Sequence, residues 1–526
     1  MIQKTIVADL NSLSFTISEN KFTKESGYGR GLAVALLKEY GNMAAGRFDE
    51  DNPLIFVPGL FVGSSAPSSC RMHVVTKREK GQGAHISNIT GDAPHRLISS
   101  GVSALVIKGK AKKPGTVLLI DHGEPQFIHM PELMGLKIPE IISCLREQFG
   151  EDCSITGTGP AADALLPLST VFNTYPRGLP AYGCPRNSFG DIAGSKNLKA
   201  VVVKSSKLFD VPYADKEAFK RLAPKLSAII RSNKICGGAL PGYGSITIMK
   251  LLKNKHDIPE PKKIEMKARF SPDGIKINRN CSPVCVIGCL NKSEREALVD
   301  GFQDVPEVSE VDGALMHSFS IKDNLLVQKI MAKAFEIGIN ATEFVYTAKV
   351  YYEALYGKTD HIKPDDIYEL LLEIEKLSVT GRVIAGGSQR VFEIFKDKTP
   401  LEELVTKPSI TQEKNYSVSL EKPEGLENTK DIDLLYREIF ALENLGICIF
   451  TSFALLNNNE ALALLSKMFT AKTGIEMSVY ELLEYSKSCI ENELSFHKDS
   501  ALYGVNMTVP EFTKVLYRYF GEEKEK

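Results

Sequence analysis

The sequence has no charge bias: its 526 residues carry 64 Lys and Arg against 65 Asp and Glu, a formal net charge of -1. So even a balance argues against bulk nucleic acid or an anionic membrane surface as the main partner, since either would select a basic face. No run of about 18 or more uncharged apolar residues occurs, which excludes a transmembrane helix. The first residues, MIQKTIVADLNSLSF, alternate in polarity and carry charge, unlike the apolar block of a signal peptide; a cytoplasmic address is the expectation. Low-complexity tracts and an evident internal sequence repeat are absent. What remains is ordinary globular material: 43% hydrophobic and 25% charged residues, enough for a large core. At about 150 residues per domain the length predicts two to four domains.

The texture changes along the chain. Up to about residue 209, short apolar runs at 54–57, 72–75, 104–107, 117–120 and 200–203 are separated by Gly, Pro and Ser, after a hairpin-like start at 1–20 and a Gly-started amphipathic segment at 29–40. That pattern predicts a mixed region of many short strands. Beyond Phe209 the 3.6-residue period dominates, at 216–232, 323–337, 344–356, 366–377, 432–443, 459–473, 479–492 and 510–520. The fold class expected is α+β. An N-terminal β-rich domain (1–209) is followed by two α-helical domains, 210–405 and 406–526, with 405–430 as a linker or long loop.

Ten cysteines are present, most of them isolated, and a chain of this kind is expected to keep them reduced. One group differs. Cys281, Cys285 and Cys289 fall within nine residues, interleaved with Pro283 and Gly288. A loop that turns back on itself can point three thiolates at one centre, with a fourth supplied from a distant segment, as in [4Fe–4S] sites. Zinc also accepts four thiolates, but its sites usually come as two separated pairs, and no second pair exists here.

Four segments together resemble the aldehyde ferredoxin oxidoreductase family, the tungstopterin and iron–sulfur oxidoreductases. They are GLFVGSSAPSSCR (59–71), GDIAGSKNLKAVVV (190–203), the triple-cysteine loop, and ENLGICIF (443–450), in family order. The chain looks like a shortened and divergent member. The resemblance implies a β-rich base domain of layered sheets that carries the cofactor, closed over by two helical domains. It implies two pterins that hold one tungsten (or molybdenum), with Mg bridging their phosphates, and a nearby [4Fe–4S] cluster.

Carried over residue by residue, the resemblance makes Cys281, Cys285, Cys289 and Cys448 the cluster ligands. It places Arg71 between cluster and pterin, where a planar, always-charged guanidinium can meet a sulfur and a phosphate together. Asn88, Gly183 and Arg186 fall at pterin-phosphate positions. The family's two pterin-anchoring motifs, Asp-x-x-Gly-Leu-Asp and Asp-x-x-Gly-Leu-Cys, read here Phe335-Glu-Ile-Gly-Ile-Asn340 and Glu443-Asn-Leu-Gly-Ile-Cys448. Glu443 keeps a carboxylate, Asn340 an uncharged acceptor, and Phe335 neither. Glu310, with Glu307 as neighbour, corresponds to the glutamate beside the metal, an expected acid–base group. Where the family has a catalytic histidine, the stretch 415–425, NYSVSLEKPEG, has none.

The implied activity is oxidation of an aldehyde or other small carbonyl substrate to a carboxylic acid in an anaerobic setting. Ferredoxin or another small carrier would take the electrons, and a homodimer follows by analogy. The alternative is an accessory electron-transfer protein that keeps the cluster on the same scaffold without catalysis.

Overall fold

The computed structural model describes residues 1–42, 44–77, 84–174, 182–183, 189–205, 209–244, 247–248, 251, 280–290, 310–395, 434–498, 515–516 and 519–520. Two six-stranded sheets form the N-terminal region. The strands are β1 (Ile2–Asp9), β2 (Ser14–Lys21), β3 (Leu54–Pro58), β4 (Met72–Lys77), β5 (Ala84–Ile89) and β6 (Val102–Lys108) in one sheet. The other holds β7 (Thr116–Asp121), β8 (Glu124–His129), β9 (Cys153–Thr158), β10 (Val171–Asn173), β11 (Tyr182–Gly183) and β12 (Leu198–Lys204).

The sheets run β2-β1-β6-β3-β4-β5 and β8-β7-β12-β9-β10-β11. In each, the second strand from the left edge pairs in parallel with the third, and every other neighbour is antiparallel. The two sheets are therefore one design used twice. The sequence shows no matching repeat, because strand pairing depends on alternation and turns rather than on residue identity.

Period-two alternation builds the layers. Ile6, Leu105, Ile107, Phe56 and Val74 of the first sheet share a core with Leu118, Ile120, Val171, Val201 and Val203 of the second. The opposite faces are covered by one helix each. α1 (Gly29–Tyr40) packs Ala33, Val34 and Leu37 on Val7, Val57 and Val106. Near α2 (Ala93–Ser99), which carries Pro94 in its first turn, the chain passes to β6. α3 (Ile138–Phe149) packs Ile138, Ile141 and Leu145 on Val117, Ile155 and Val202.

After α4 (Pro160–Asp163) and α5 (Gly190–Ser195) the chain turns helical, as expected. α6 (Lys216–Ser232) and α7 (Leu240–Tyr243) precede the described loop 280–290. Then come α8 (Glu310–Phe319), α9 (Asn324–Ile337), α10 (Ala341–Tyr356), α11 (Pro364–Glu375), α12 (Val379–Ala385) and α13 (Ser388–Phe395). The last group is α14 (Leu434–Leu445), α15 (Ser452–Leu455), α16 (Asn459–Thr473) and α17 (Val479–Lys498).

These helices form two cores. α8 to α13 close over Ala161, Leu166 and Leu168 of the second sheet's half. α6 joins α14, α16 and α17 over Phe22, Tyr28 and Phe61 of the first sheet's half, with Ile287 of the cysteine loop in the same core. No described helix is long and apolar enough to cross a membrane.

Candidate metal centre

Helix α14 ends on Gly446, whose φ of +78° is the left-handed conformation that glycine adopts freely. A side chain there would also meet Gly59 Cα at 2.8 Å. This close approach lays the segment 59–71 along 444–448. Leu60 N donates to Asn444 O (3.1 Å) and Phe61 N to Leu445 O (3.0 Å). Cys70 N and Arg71 N both donate to Gly446 O (2.9 and 3.0 Å), and Cys448 N donates to Ser68 O (2.9 Å). Ser69 and Ile447 form an antiparallel bridge.

Ser68 also holds the cysteine loop. Its N donates to Val284 O at 2.8 Å, and Val286 N donates to its Oγ at 3.2 Å. A second anchor comes from α2. Gly63 N donates to His95 Nδ1 (3.2 Å), so the ring's other nitrogen carries the proton and donates to Ser282 Oγ (3.0 Å). Burial pushes His95 down to about 4, which keeps it neutral in that role near pH 7.

Five sulfurs result, from three remote parts of the chain. Cys70 Sγ is in hydrogen-bond contact with both Cys281 and Cys448, and Cys281 with Cys285; Cys289 lies beyond Cys285. Cys70, Cys281 and Cys448 are buried and unbonded to one another. Arg71 Nη2 donates to Cys448 Sγ at 3.0 Å. The bond from Cys70 and the Arg71 charge, against burial, bring Cys448 down to about 6. The bonds from Cys285 and Cys70 hold Cys281 well below the usual thiol range.

Further donors reach these sulfurs: Thr90 Oγ1 to Cys281 (3.7 Å) and Gly288 N to Cys285 (3.4 Å). A group of thiols with a cation and hydrogen-bond donors aimed at sulfur is chemistry suited to a thiolate-bound iron–sulfur cluster. Among the described residues, no three His, Cys, Asp or Glu side chains converge at the distance a single metal ion needs.

A buried polar group lies beside the sulfurs. Arg30 of α1 grips Glu493 through Nε (2.9 Å) and Nη2 (2.7 Å), and its Nη1 reaches Glu443 at 3.4 Å. Its guanidinium lies 4.3 Å from the Phe440 ring centre. Asn88 Nδ2 donates to both Glu443 carboxylate oxygens at 3.5 and 3.4 Å, and His73 Nε2 donates to Glu443 O at 2.9 Å. Asn88 Oδ1 is buried with no hydrogen-bond partner among the described residues, an acceptor that a bound cation or donor would satisfy.

Residues 5–205 match the family model described as the N-terminal domain of aldehyde ferredoxin oxidoreductase. The tungsten-containing aldehyde ferredoxin oxidoreductase of Pyrococcus furiosus is 27% identical over 481 residues, which span 81% of this chain and 77% of that protein. Residues 5–205 are thus an N-terminal domain of the aldehyde ferredoxin oxidoreductase family, and the chain as a whole is similar to the family's tungsten-containing members.

The counterpart from Thermococcus kodakarensis is 30% identical over 224 residues, covering 42% of this chain and 36% of its own. Among solved structures, the active site complex BamBC of benzoyl coenzyme A reductase, in complex with 1,5 dienoyl-CoA, superposes with a TM-score of 0.70 at 17% identity. It covers 99% of this chain and 94% of that one, a likeness of fold.

Within this family fold, the residues singled out from the sequence divide into three groups. Arg71, Asn88, Glu443, Cys281, Cys285, Cys289 and Cys448 are brought together around one region. Asn340 and Gly183 belong to the other half. Asn340 Oδ1 caps α10 by accepting from Glu343 N (3.1 Å), and Gly183 pairs with Phe172 on the edge strand. Phe335 packs against the outer core of the second sheet. Glu310 opens α8, with its side chain outside the described residues; Glu307 and Arg186 also lie outside them.

Sequence reasoning missed Cys70, Ser68, His95, Arg30 and Glu493. Cys70 carried a usable signal, since it sits inside the 59–71 segment next to Arg71. Arg30 and Glu493 carried none, because nothing in the sequence links positions so far apart.

Proposed function

We propose that this protein is an oxidoreductase of the tungstopterin type, in which a [4Fe–4S] cluster relays electrons to ferredoxin or a similar small carrier. The substrate class is a small aldehyde or related carbonyl compound, oxidised to the acid. The observation that carries this reading is the convergence of Cys448 with the Cys281–Cys289 loop beneath Arg71. When bound, the metal–pterin supplies the two-electron redox step and the cluster carries electrons away singly.

The chain's own residues supply position and charge. Arg71 holds its guanidinium at a ligand sulfur, where its fixed charge favours the reduced, more negative cluster. Asn88 offers a buried acceptor next to Glu443. Glu310, with Glu307, is the proposed proton-handling carboxylate.

Anaerobic purification and metal analysis test the reading. About four iron and about one tungsten or molybdenum per chain are expected, with a broad absorbance near about 400 nm that dithionite bleaches. Absence of iron would refute it.

One observation favours a second reading, an electron-transfer protein without the metal–pterin. Glu443 is already engaged by Arg30 and Asn88, and Asn340 by its helix cap. These are the two acceptors that remain of the pterin-anchoring motifs. About four iron with neither tungsten nor molybdenum would select this reading.

A further inference from the structure

Five cysteines surround the centre, and a cubane cluster offers four irons. One thiol is therefore surplus. Cys70 and Cys281 are in mutual contact, so they compete for one corner.

They are held very differently. Cys70 N is bonded to Gly446 O at 2.9 Å, Cys448 N to Ser68 O at 2.9 Å, and Ser69 is bridged to Ile447. The main chain itself thus sets the Cys70 sulfur beside that of Cys448, whatever the loop does. Cys281 stands at the start of the loop. Its sulfur accepts from Thr90 Oγ1, and its neighbour Ser282 is tied to His95. Those bonds draw this end of the loop towards β5 and α2.

The second sheet's half supplies an internal control. There Thr170 N donates to Gly338 O (2.8 Å), Asn340 N donates to Leu168 O (3.0 Å), and Ser169 is bridged to Ile339. The same backbone clamp forms with Thr170 and Asn340 where the first half has Cys70 and Cys448. The clamp needs no sulfur, so packing does not call for a thiol at position 70.

We propose that Cys70 is a ligand of the cluster, together with Cys285, Cys289 and Cys448, and that Cys281 is the thiol beside it. The inference rests on the cluster reading above. On metallation the Cys70 sulfur binds one iron and releases its proton to solvent.

The test uses the full chain, purified and reconstituted anaerobically, as wild type, Cys70→Ser and Cys281→Ser. Iron per chain and EPR spectra of oxidised and dithionite-reduced protein are recorded. Wild type with about four iron establishes the cluster. Cys70→Ser is then expected to fall to about three iron, with the EPR signal of an oxidised three-iron cluster, while Cys281→Ser keeps about four and the wild-type spectrum.

Loss of iron from Cys281→Ser alone, loss from both variants, or retention of four iron by both would each overturn the assignment. So would a Cys70→Ser protein that keeps its iron and only shifts the midpoint potential, which would make Cys70 a hydrogen-bond donor to the ligands. Iron-free wild type would instead refute the cluster itself.

Discussion

The two halves of the N-terminal region share strand order, strand direction and a helix-end clamp, yet differ in chemistry at equivalent places. In the first, a helix ending in Glu443-Asn-Leu-Gly-Ile-Cys448 is stitched to the segment carrying Cys70 and Arg71. In the second, a helix ending in Phe335-Glu-Ile-Gly-Ile-Asn340 is stitched to Leu168 and Thr170. The left-handed glycine, the bridge and the main-chain bonds recur. Backbone geometry is thus the common frame, and side-chain identity decides which half holds sulfur. The loop 280–290 docks on the first half through Ser68 and His95, adding three further thiols there.

The sharpest way to break this comparison is at the paired fourth positions. Cys448→Ser is expected to abolish stable cluster binding, with iron falling below about half of the wild-type content of about four per chain. Asn340→Ala should leave the iron content unchanged and cost about 1 kcal/mol through the lost helix cap, read by denaturant unfolding. Equal iron loss in both would show that the halves are not chemically distinct.

Next in size is Arg30→Met. It strands two buried carboxylates, Glu443 and Glu493, and should cost about 3–5 kcal/mol at pH 7. A loss under about 1 kcal/mol would mean that water already reaches the pair.

A smaller, paired effect concerns the clamp glycines. Gly446→Ala and Gly338→Ala each force a side chain into a left-handed position, at φ +78° and +79°, against a facing glycine. Each should cost about 1–3 kcal/mol in thermal or chemical unfolding. Iron should be lost only with Gly446→Ala, because Gly446 O receives Cys70 N and Arg71 N.

The mildest effect lies at the joint between halves. Lys196 Nζ donates to Gly109 O at 3.2 Å, and burial, opposed by Glu50 and Asp51, lowers it to about 8 from 10.5. The unfolded chain keeps that proton to higher pH than the folded chain does, so folding stability should rise with pH between about 8 and about 10.5. Lys196→Met should flatten this rise. An unchanged slope in the variant would remove Lys196 as its source.

Much of the site was legible because it is written in short motifs. The Cys281–Cys289 spacing, the Cys448 context and Arg71 each rest on a few neighbouring residues, and local spacing is what a sequence displays. The α+β division was legible for the same reason, since period two and period 3.6 are local properties. Cys70 was visible but ambiguous: a single cysteine is ordinarily a small buried hydrophobe. The duplicated sheet design left no trace that could be read, because hydrogen-bond ladders tolerate almost any alternating sequence.

By itself, the sequence determined the texture of the two regions and the spacing of the three-cysteine loop. Only the tertiary structure decided which thiols share a centre, that Arg30 reaches both Glu443 and Glu493, and that one fold pattern serves two halves with different chemistry. The physical reason is range. Periodicity, turns and ligand spacing act over a few residues, whereas the pairing of Cys70 with Cys448 depends on how an entire sheet and a helical layer pack.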